Sequence, residues 1–151
     1  MSQKARLRKL IEDYVISQGW NYESKENTVI FNMNIKSKLS KCRVYVVAYE
    51  NGIGAIAVCP LNATKDVYNT VVEYITRANY GLKCGGFEFD YSDGEIRYRT
   101  FLSAREALPD MQDVEHIVDL SFFMMQQYGD GLIKSLMGFG DPERDIEAAE
   151  G

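Results

Sequence analysis

The sequence is poor in the residues that build metal sites and nucleophilic sites. It has one histidine, His116, and three cysteines, Cys42, Cys59 and Cys84, which lie far apart and form no CxxC pair. Four zinc ligands at the usual spacing are therefore absent. The histidine lies on a predicted helix and the cysteines on predicted strands or in a turn, so the sequence indicates no pair of a nucleophile and a histidine base. Such cysteines are typical of reduced, buried thiols in a cytosolic protein. We expect no metal, no cofactor and no catalytic residues, and thus a protein that is not an enzyme.

Long apolar runs and an excess of basic charge are missing as well. No apolar run approaches the roughly 18 residues of a membrane span. The basic segment Met1–Leu10 lacks the apolar stretch of a signal peptide. These absences predict a cytoplasmic chain that does not enter a membrane. The formal net charge of −5 argues against a general nucleic-acid binder, so we expect no nucleic-acid partner.

The hydrophobic pattern predicts three helices and five strands. A period of 3.6 indicates helices over 3–18, 65–80 and from about 110 to at least 128, and a period of two or a β-rich composition indicates strands over 28–35, 42–50, 54–59, 86–91 and 95–102. Gly129 and Gly131 are expected to loosen or kink the third helix before its apolar stripe resumes. The residues after Gly138 are few and acidic. We therefore expect one domain over 1–138 and a flexible acidic tail over 139–151.

Two short turns set the expected pairing of the strands. Asn51-Gly52 favours a type I′ hairpin that joins the second and third strands. Asp93-Gly94 as a two-residue turn would place aromatic residues on one face of the second hairpin. It would also pair Glu88 with Arg99 and Asp90 with Arg97 on the other face. The element order is then α-βββ-α-ββ-α, an α+β fold in which a five-stranded antiparallel sheet packs against helices.

The second hairpin also carries a family resemblance. Its sequence reads Asn79-Tyr80-Gly81-Leu82, then Gly85-Gly86-Phe87-Glu88-Phe89-Asp90, and then Asp93-Gly94-Glu95-Ile96-Arg97-Tyr98-Arg99. This segment resembles the YbjN-type "bacterial sensory transduction regulator" family, which is similar in fold to the class I chaperones of type III secretion. The match covers about residues 74–102 by motif and nearly the whole chain by element order. The resemblance implies a small cytosolic protein that often dimerises and binds other polypeptides, and it supplies no catalytic residues.

Several features have simpler structural explanations. Gly81, Gly85 and Gly86 follow a helix and precede a strand, whereas a phosphate-binding loop needs the opposite order. Glu115 and Asp119 are i, i+4 neighbours, but two carboxylates without a second cluster make a weak cation site. We interpret the glycines as a cap and turn, and the acids as a solvated helix face.

The chain has more apolar side chains than two layers are expected to bury. Both faces of the second and third strands are apolar, and four consecutive apolar residues point around the third helix. We therefore predict that a partner contacts the uncovered sheet face or the flank of this helix, through Val44, Val46, Ala48 and Ala57 or through Phe122, Phe123, Met124 and Met125. An exposed strand edge could also accept an extended peptide.

These patterns give two functional hypotheses. The first is a non-enzymatic, chaperone-like module that forms a homodimer and docks a client polypeptide. The alternative is a small-molecule-binding regulatory domain, with its ligand between helices and sheet and the 10 tyrosines as polar contacts.

Overall fold

The computed structural model describes all 151 residues as one antiparallel sheet with helices on one side. The helices are α1 (Gln3–Gln18), α2 (Tyr68–Asn79), α3 (Met111–Leu136) and α4 (Pro142–Glu150), and the strands are β1 (Glu23–Lys25), β2 (Thr28–Asn34), β3 (Lys41–Tyr49), β4 (Gly52–Val58), β5 (Gly86–Phe89) and β6 (Ile96–Ser103). A short 3-10 turn, Lys65–Val67, precedes α2. The expected α+β class is confirmed.

The sheet has six strands rather than five. Its order is β1-β2-β3-β4-β6-β5, and every neighbouring pair is antiparallel. The strand missed from the sequence is β1, which pairs with β2 at the sheet edge. All three of its residues are exposed, so it carries no apolar alternation that could reveal it.

Both hairpins pair two residues away from the predicted register. In the first, Tyr49 pairs with Gly52, so the turn is Glu50-Asn51 and not Asn51-Gly52. In the second, Phe87 pairs with Tyr98 rather than with Thr100. A shift of two residues keeps every side chain on its expected face, because the side-chain period of a strand is two.

The first helix and the start of the third form as their sequences predict. Gly19, with φ +72°, ends α1 in the left-handed conformation that glycine adopts most readily. Asp110 caps α3: its side chain accepts a hydrogen bond from the Asp113 amide, and the Asp113 carboxylate accepts one from the Asp110 amide, both at 2.9 Å. This reciprocal capping satisfies two of the free amides at the helix start.

The third helix stays continuous through Gly129 and Gly131, contrary to the expected loosening. A Cβ at Gly131 would lie 2.7 Å from ring carbons of Tyr74, whose hydroxyl donates a 2.7 Å hydrogen bond to the Tyr128 carbonyl. A Cβ at Gly129 would similarly meet Ser37. The glycines therefore allow close packing at two positions of an unbroken helix.

The prediction of a flexible acidic tail is wrong for most of the segment 139–151. Residues Pro142–Glu150 form α4, which packs on α2 and α3. Ile146 and Asp145 are buried, and Asp145 lies 3.6 Å from Lys134. The Tyr128 hydroxyl donates a 2.7 Å hydrogen bond to the Glu150 carboxylate. One buried apolar side chain and these polar contacts thus fix the segment to the helical layer.

None of the four helices combines the length and apolarity needed to cross a bilayer.

Candidate functional site

The predicted partner-binding residues of the sheet lie in the core. Val44, Val46, Ala48 and Ala57 have no exposed surface, and they face the helices. Their predicted position on an uncovered face is wrong. A period of two shows which residues share a face, but it does not show which face the helices choose when both are apolar.

The predicted residues of the third helix are mostly covered too. Phe122, Met124 and Met125 are buried, and only Phe123, which is 50% exposed, remains at the surface. The helix α3 contacts the sheet on one side and α1, α2 and α4 on others, so its apolar side chains are covered in several directions. Seven of the eight predicted partner-binding side chains are therefore buried within one protomer, and only Phe123 is exposed.

A free stretch of strand edge lies elsewhere, where β6 extends past β5. The strand β6 pairs with β4 along its length, whereas β5 begins at Gly86 opposite Arg99. The segment Thr100–Ser103 consequently has a neighbour on one side only. The expected register paired Phe87 with Thr100 and would have covered most of this segment, so the overhang results from the two-residue shift that the structure shows.

The backbone of this overhang presents unpaired hydrogen-bonding groups. Even-numbered residues of β6 bond to the β4 side: the Cys59 amide donates to the Ile96 carbonyl and the Ala104 amide to the Asn51 carbonyl, both at 2.9 Å. Antiparallel pairing alternates, so the amides and carbonyls of Phe101 and Ser103 point away from β4. Unpaired strand edges of this kind are templates for another strand.

An apolar groove of about 680 Å³ opens beside this edge. Thr100 and Leu102 of β6 line it together with Ile117 and Leu120 of α3, and His116 stands at its rim. The Thr100 hydroxyl donates a 2.8 Å hydrogen bond to the Ile117 carbonyl, which holds strand and helix together. The sequence predictions missed these groove residues as a site.

The loop before β5 lines the groove and is held by specific contacts. The Tyr98 hydroxyl donates a 2.6 Å hydrogen bond to the Cys84 carbonyl, and burial raises the pKa of Tyr98 to about 12. Gly85 has φ +73°, and a Cβ there would collide with the Arg99 carbonyl, so the position requires glycine. The Asn79 side chain accepts from the Phe87 amide at 2.7 Å and donates to the Phe87 carbonyl at 3.0 Å. Part of the segment that carries the family resemblance, Gly85–Glu88, thus lines the groove.

Two arginines near the groove share one carboxylate. The same Glu88 oxygen lies 2.8 Å from Arg97 and 3.1 Å from Arg99. Glu88 stands opposite Arg97 and not, as predicted, opposite Arg99, although it forms an ion pair with both; Asp90 does not pair with Arg97. Asp90 instead accepts hydrogen bonds from the Ser92 hydroxyl and amide, and these lower its pKa.

One cysteine, Cys84, is among the residues that line the groove. Cys84 is an exposed free thiol, while Cys42 and Cys59 are buried. No group of three or more His, Cys, Asp or Glu side chains is placed to hold a metal ion. The site therefore combines an apolar groove, unpaired backbone groups and a few charged side chains.

Comparison with known proteins finds likeness at the level of structure. No protein-family model and no curated protein matches the sequence. The fold matches the crystal structure of YbjN from E. coli, named as a proposed transcription regulator, with a TM-score of 0.59 over 78% of this chain and 84% of that chain. This chain has a YbjN-like fold. At 7% sequence identity the likeness shows the fold alone, and it confirms the fold implied by the motif around the second hairpin.

Proposed function

We propose that this YbjN-like chain is a non-enzymatic polypeptide-binding module. It accepts an extended segment of a client along the free edge of β6, as a further strand of the sheet. The observation that carries the proposal is the set of unpaired backbone groups at Phe101 and Ser103, which open onto an apolar groove.

The geometry supports a specific mode of docking. A strand laid beside the overhang can exchange backbone hydrogen bonds with Phe101 and Ser103, and alternate side chains then point to opposite faces. One side chain enters the groove between Leu102 of β6 and Leu120 of α3. Backbone bonds would supply affinity that is independent of sequence, and the groove would select an apolar residue.

The proposal is tested with peptides selected against the folded chain from a random display library. Ser103→Pro removes the outward amide, and Ser103→Ala is the matched control, because both variants lose the hydroxyl that accepts from the Arg105 amide. We expect selected peptides to bind wild type and Ser103→Ala alike and to lose most of their affinity for Ser103→Pro. Selected peptides that bind all three proteins equally would place the site elsewhere.

A second candidate uses the same groove for a small molecule. Its volume of about 680 Å³ falls within the roughly 300–1,000 Å³ of typical ligand pockets. A thermal-shift screen with metabolites tests this candidate, since a ligand that binds only the folded state raises the melting temperature. A hit whose effect is lost in Leu120→Asp but kept in Ser103→Pro would favour a small ligand over a peptide.

Self-association is a separate proposal that follows from the sequence analysis. Exposed apolar side chains such as Phe123 and Phe139 are candidates for the contact. Sedimentation velocity at tens of micromolar protein tests it: a dimer is expected, and a monomer across the whole concentration range would refute it.

A further inference from the structure

The sheet has a second face, opposite the helices, whose charge differs from that of the whole chain. We call it the open face. Alternation in the strands places five basic side chains on it, namely Lys25, Lys41, Arg43, Arg97 and Arg99. The strands contribute two acidic side chains to it, Glu23 and Glu88, and Glu95 adds a third next to β6. A chain of net charge −5 thus carries a locally basic surface, which favours an anionic ligand.

Two aromatic rings lie against the open face above glycines. A Cβ at Gly54 would lie 3.1 Å from the Tyr49 ring, and a Cβ at Gly52 would lie 2.5 Å from the Phe101 ring. The two ring centroids are 6.2 Å apart, and Phe101 is 50% exposed. The glycines of β4 therefore make room for rings on the sheet surface, where they can stack with a planar group.

Three arginines lie on the same face, and Arg99 is two residues before Phe101 in β6. The Arg43 guanidinium carbon lies 5.8 Å from the centroid of Tyr45, a third ring on the same face. Arg43 lies 3.6 Å from Glu23, and Arg97 and Arg99 share Glu88. Partly exposed ion pairs of this kind are weak, typically about 0–1 kcal/mol, so phosphate groups can replace the carboxylates as partners.

We infer that the open face binds single-stranded nucleic acid. Bases stack on Tyr49 and Phe101, and phosphates contact the arginines elsewhere on the same face. Aromatic rings on an antiparallel sheet, flanked by basic side chains, are a recurrent platform for single strands, because every base offers a planar face. The expectation of no nucleic-acid partner came from the average charge of the chain, and the open face departs from that average.

This inference is independent of the proposed peptide site. The Phe101 side chain points to the open face, whereas its backbone groups point to the free edge of β6. Phe101→Ala therefore removes a stacking ring and leaves the edge amide in place. Ser103→Pro, conversely, alters the edge and leaves both rings.

Fluorescence anisotropy with labelled oligo-dT and oligo-U of about 20 nucleotides, at about 50 and 200 mM salt, tests the inference. We expect both strands to bind more tightly than a duplex of equal length, with affinity that falls as salt rises. Phe101→Ala should weaken binding on the order of tenfold, the effect of losing one stacked base. Circular dichroism melts verify that this variant remains folded.

Matched charge reversals separate a site from general attraction. Arg43→Glu is expected to weaken binding strongly. Lys36→Glu reverses a charge of the same sign away from the open face, near α3, and should leave binding nearly unchanged. Equal losses in the two variants, or no binding of either strand at low salt, would overturn the inference. A glutamate oligomer that binds the open face more tightly than the oligonucleotides would also overturn it, and would assign the face to an acidic polypeptide.

Discussion

Proline substitutions at two adjacent residues of β6 test the proposed free edge through stability alone. The backbone amide of Leu102 points toward β4 and bonds to the carbonyl of Ile53, a fully buried residue. Leu102→Pro removes that bond and leaves a buried carbonyl without its donor. Each such loss costs about 1–3 kcal/mol, and the proline ring adds strain, so we expect a loss of about 2–4 kcal/mol in the free energy of unfolding.

Ser103→Pro should behave differently, because the Ser103 amide points away from β4 and has no backbone partner. Proline is tolerated at such edge positions, and its restriction of the preceding residue to extended geometry suits a strand. Relative to Ser103→Ala, we expect a loss below about 1 kcal/mol. Urea unfolding followed by circular dichroism measures both variants. With a slope of about 2 kcal/mol per molar urea, Leu102→Pro should lower the midpoint by roughly 1–2 M. Equal destabilisation by the two prolines would refute the assigned direction of the Ser103 amide.

Three other predictions concern the core. Gly131→Ala forces a methyl group against the buried Tyr74 ring of α2. Although alanine favours helices, the variant should lower the free energy of unfolding by about 1–3 kcal/mol in the same urea assay. A stabilised variant would contradict this prediction. Ile146→Asp should detach α4, with faster proteolysis of the C-terminal residues, whereas a flexible tail would be cleaved equally in both proteins. Burial raises the pKa of Cys42 to about 12 and of Cys59 to about 11, so the folded state holds protons that the unfolded state releases above about pH 9. Stability should therefore fall as pH rises from 9 to 11, and a thiol reagent at pH 8 should modify only Cys84 rapidly in the folded protein.

The sequence predicts the elements that carry strong periodicity. The apolar stripe of α1 and its glycine stop correspond to the observed helix, as do the alternating residues of β2 and the start of α3. These signals are local, because a single face buried against the core imposes its period on the sequence. The family motif also indicated the fold, since Asn79 and Gly85 are needed for local contacts of the second hairpin.

The errors arise where tertiary contacts decide. Gly52 lies in β4, where the Phe101 ring occupies the space that a side chain at this position would need. The preference of Asn-Gly for a hairpin turn is a local signal, so it cannot reflect this contact with a distant residue. The helix α4 offered local signals, an Asp141 cap followed by Pro142 and a buried Ile146, but its acidic composition suggested a solvated tail.

The candidate site could be predicted only in outline. An exposed strand edge was among the expected docking modes, but its place on β6 depends on the observed register of the second hairpin, which the sequence did not predict. The sequence could not show that α1 and α3 cover the face with Val44 and Val46, since both faces of these strands are apolar. It also could not show that a groove forms between Leu102 and Leu120, which are far apart in the chain.

Hydrogen exchange of the β6 amides, resolved residue by residue, tests the central claim most directly. In the free protein the amides of Thr100 and Leu102 should be protected by β4, whereas those of Phe101 and Ser103 should exchange quickly. Saturation with a selected peptide should then protect Phe101 and Ser103. Protection of these two amides already in the free chain, or continued fast exchange with the peptide bound, would contradict strand addition at this edge.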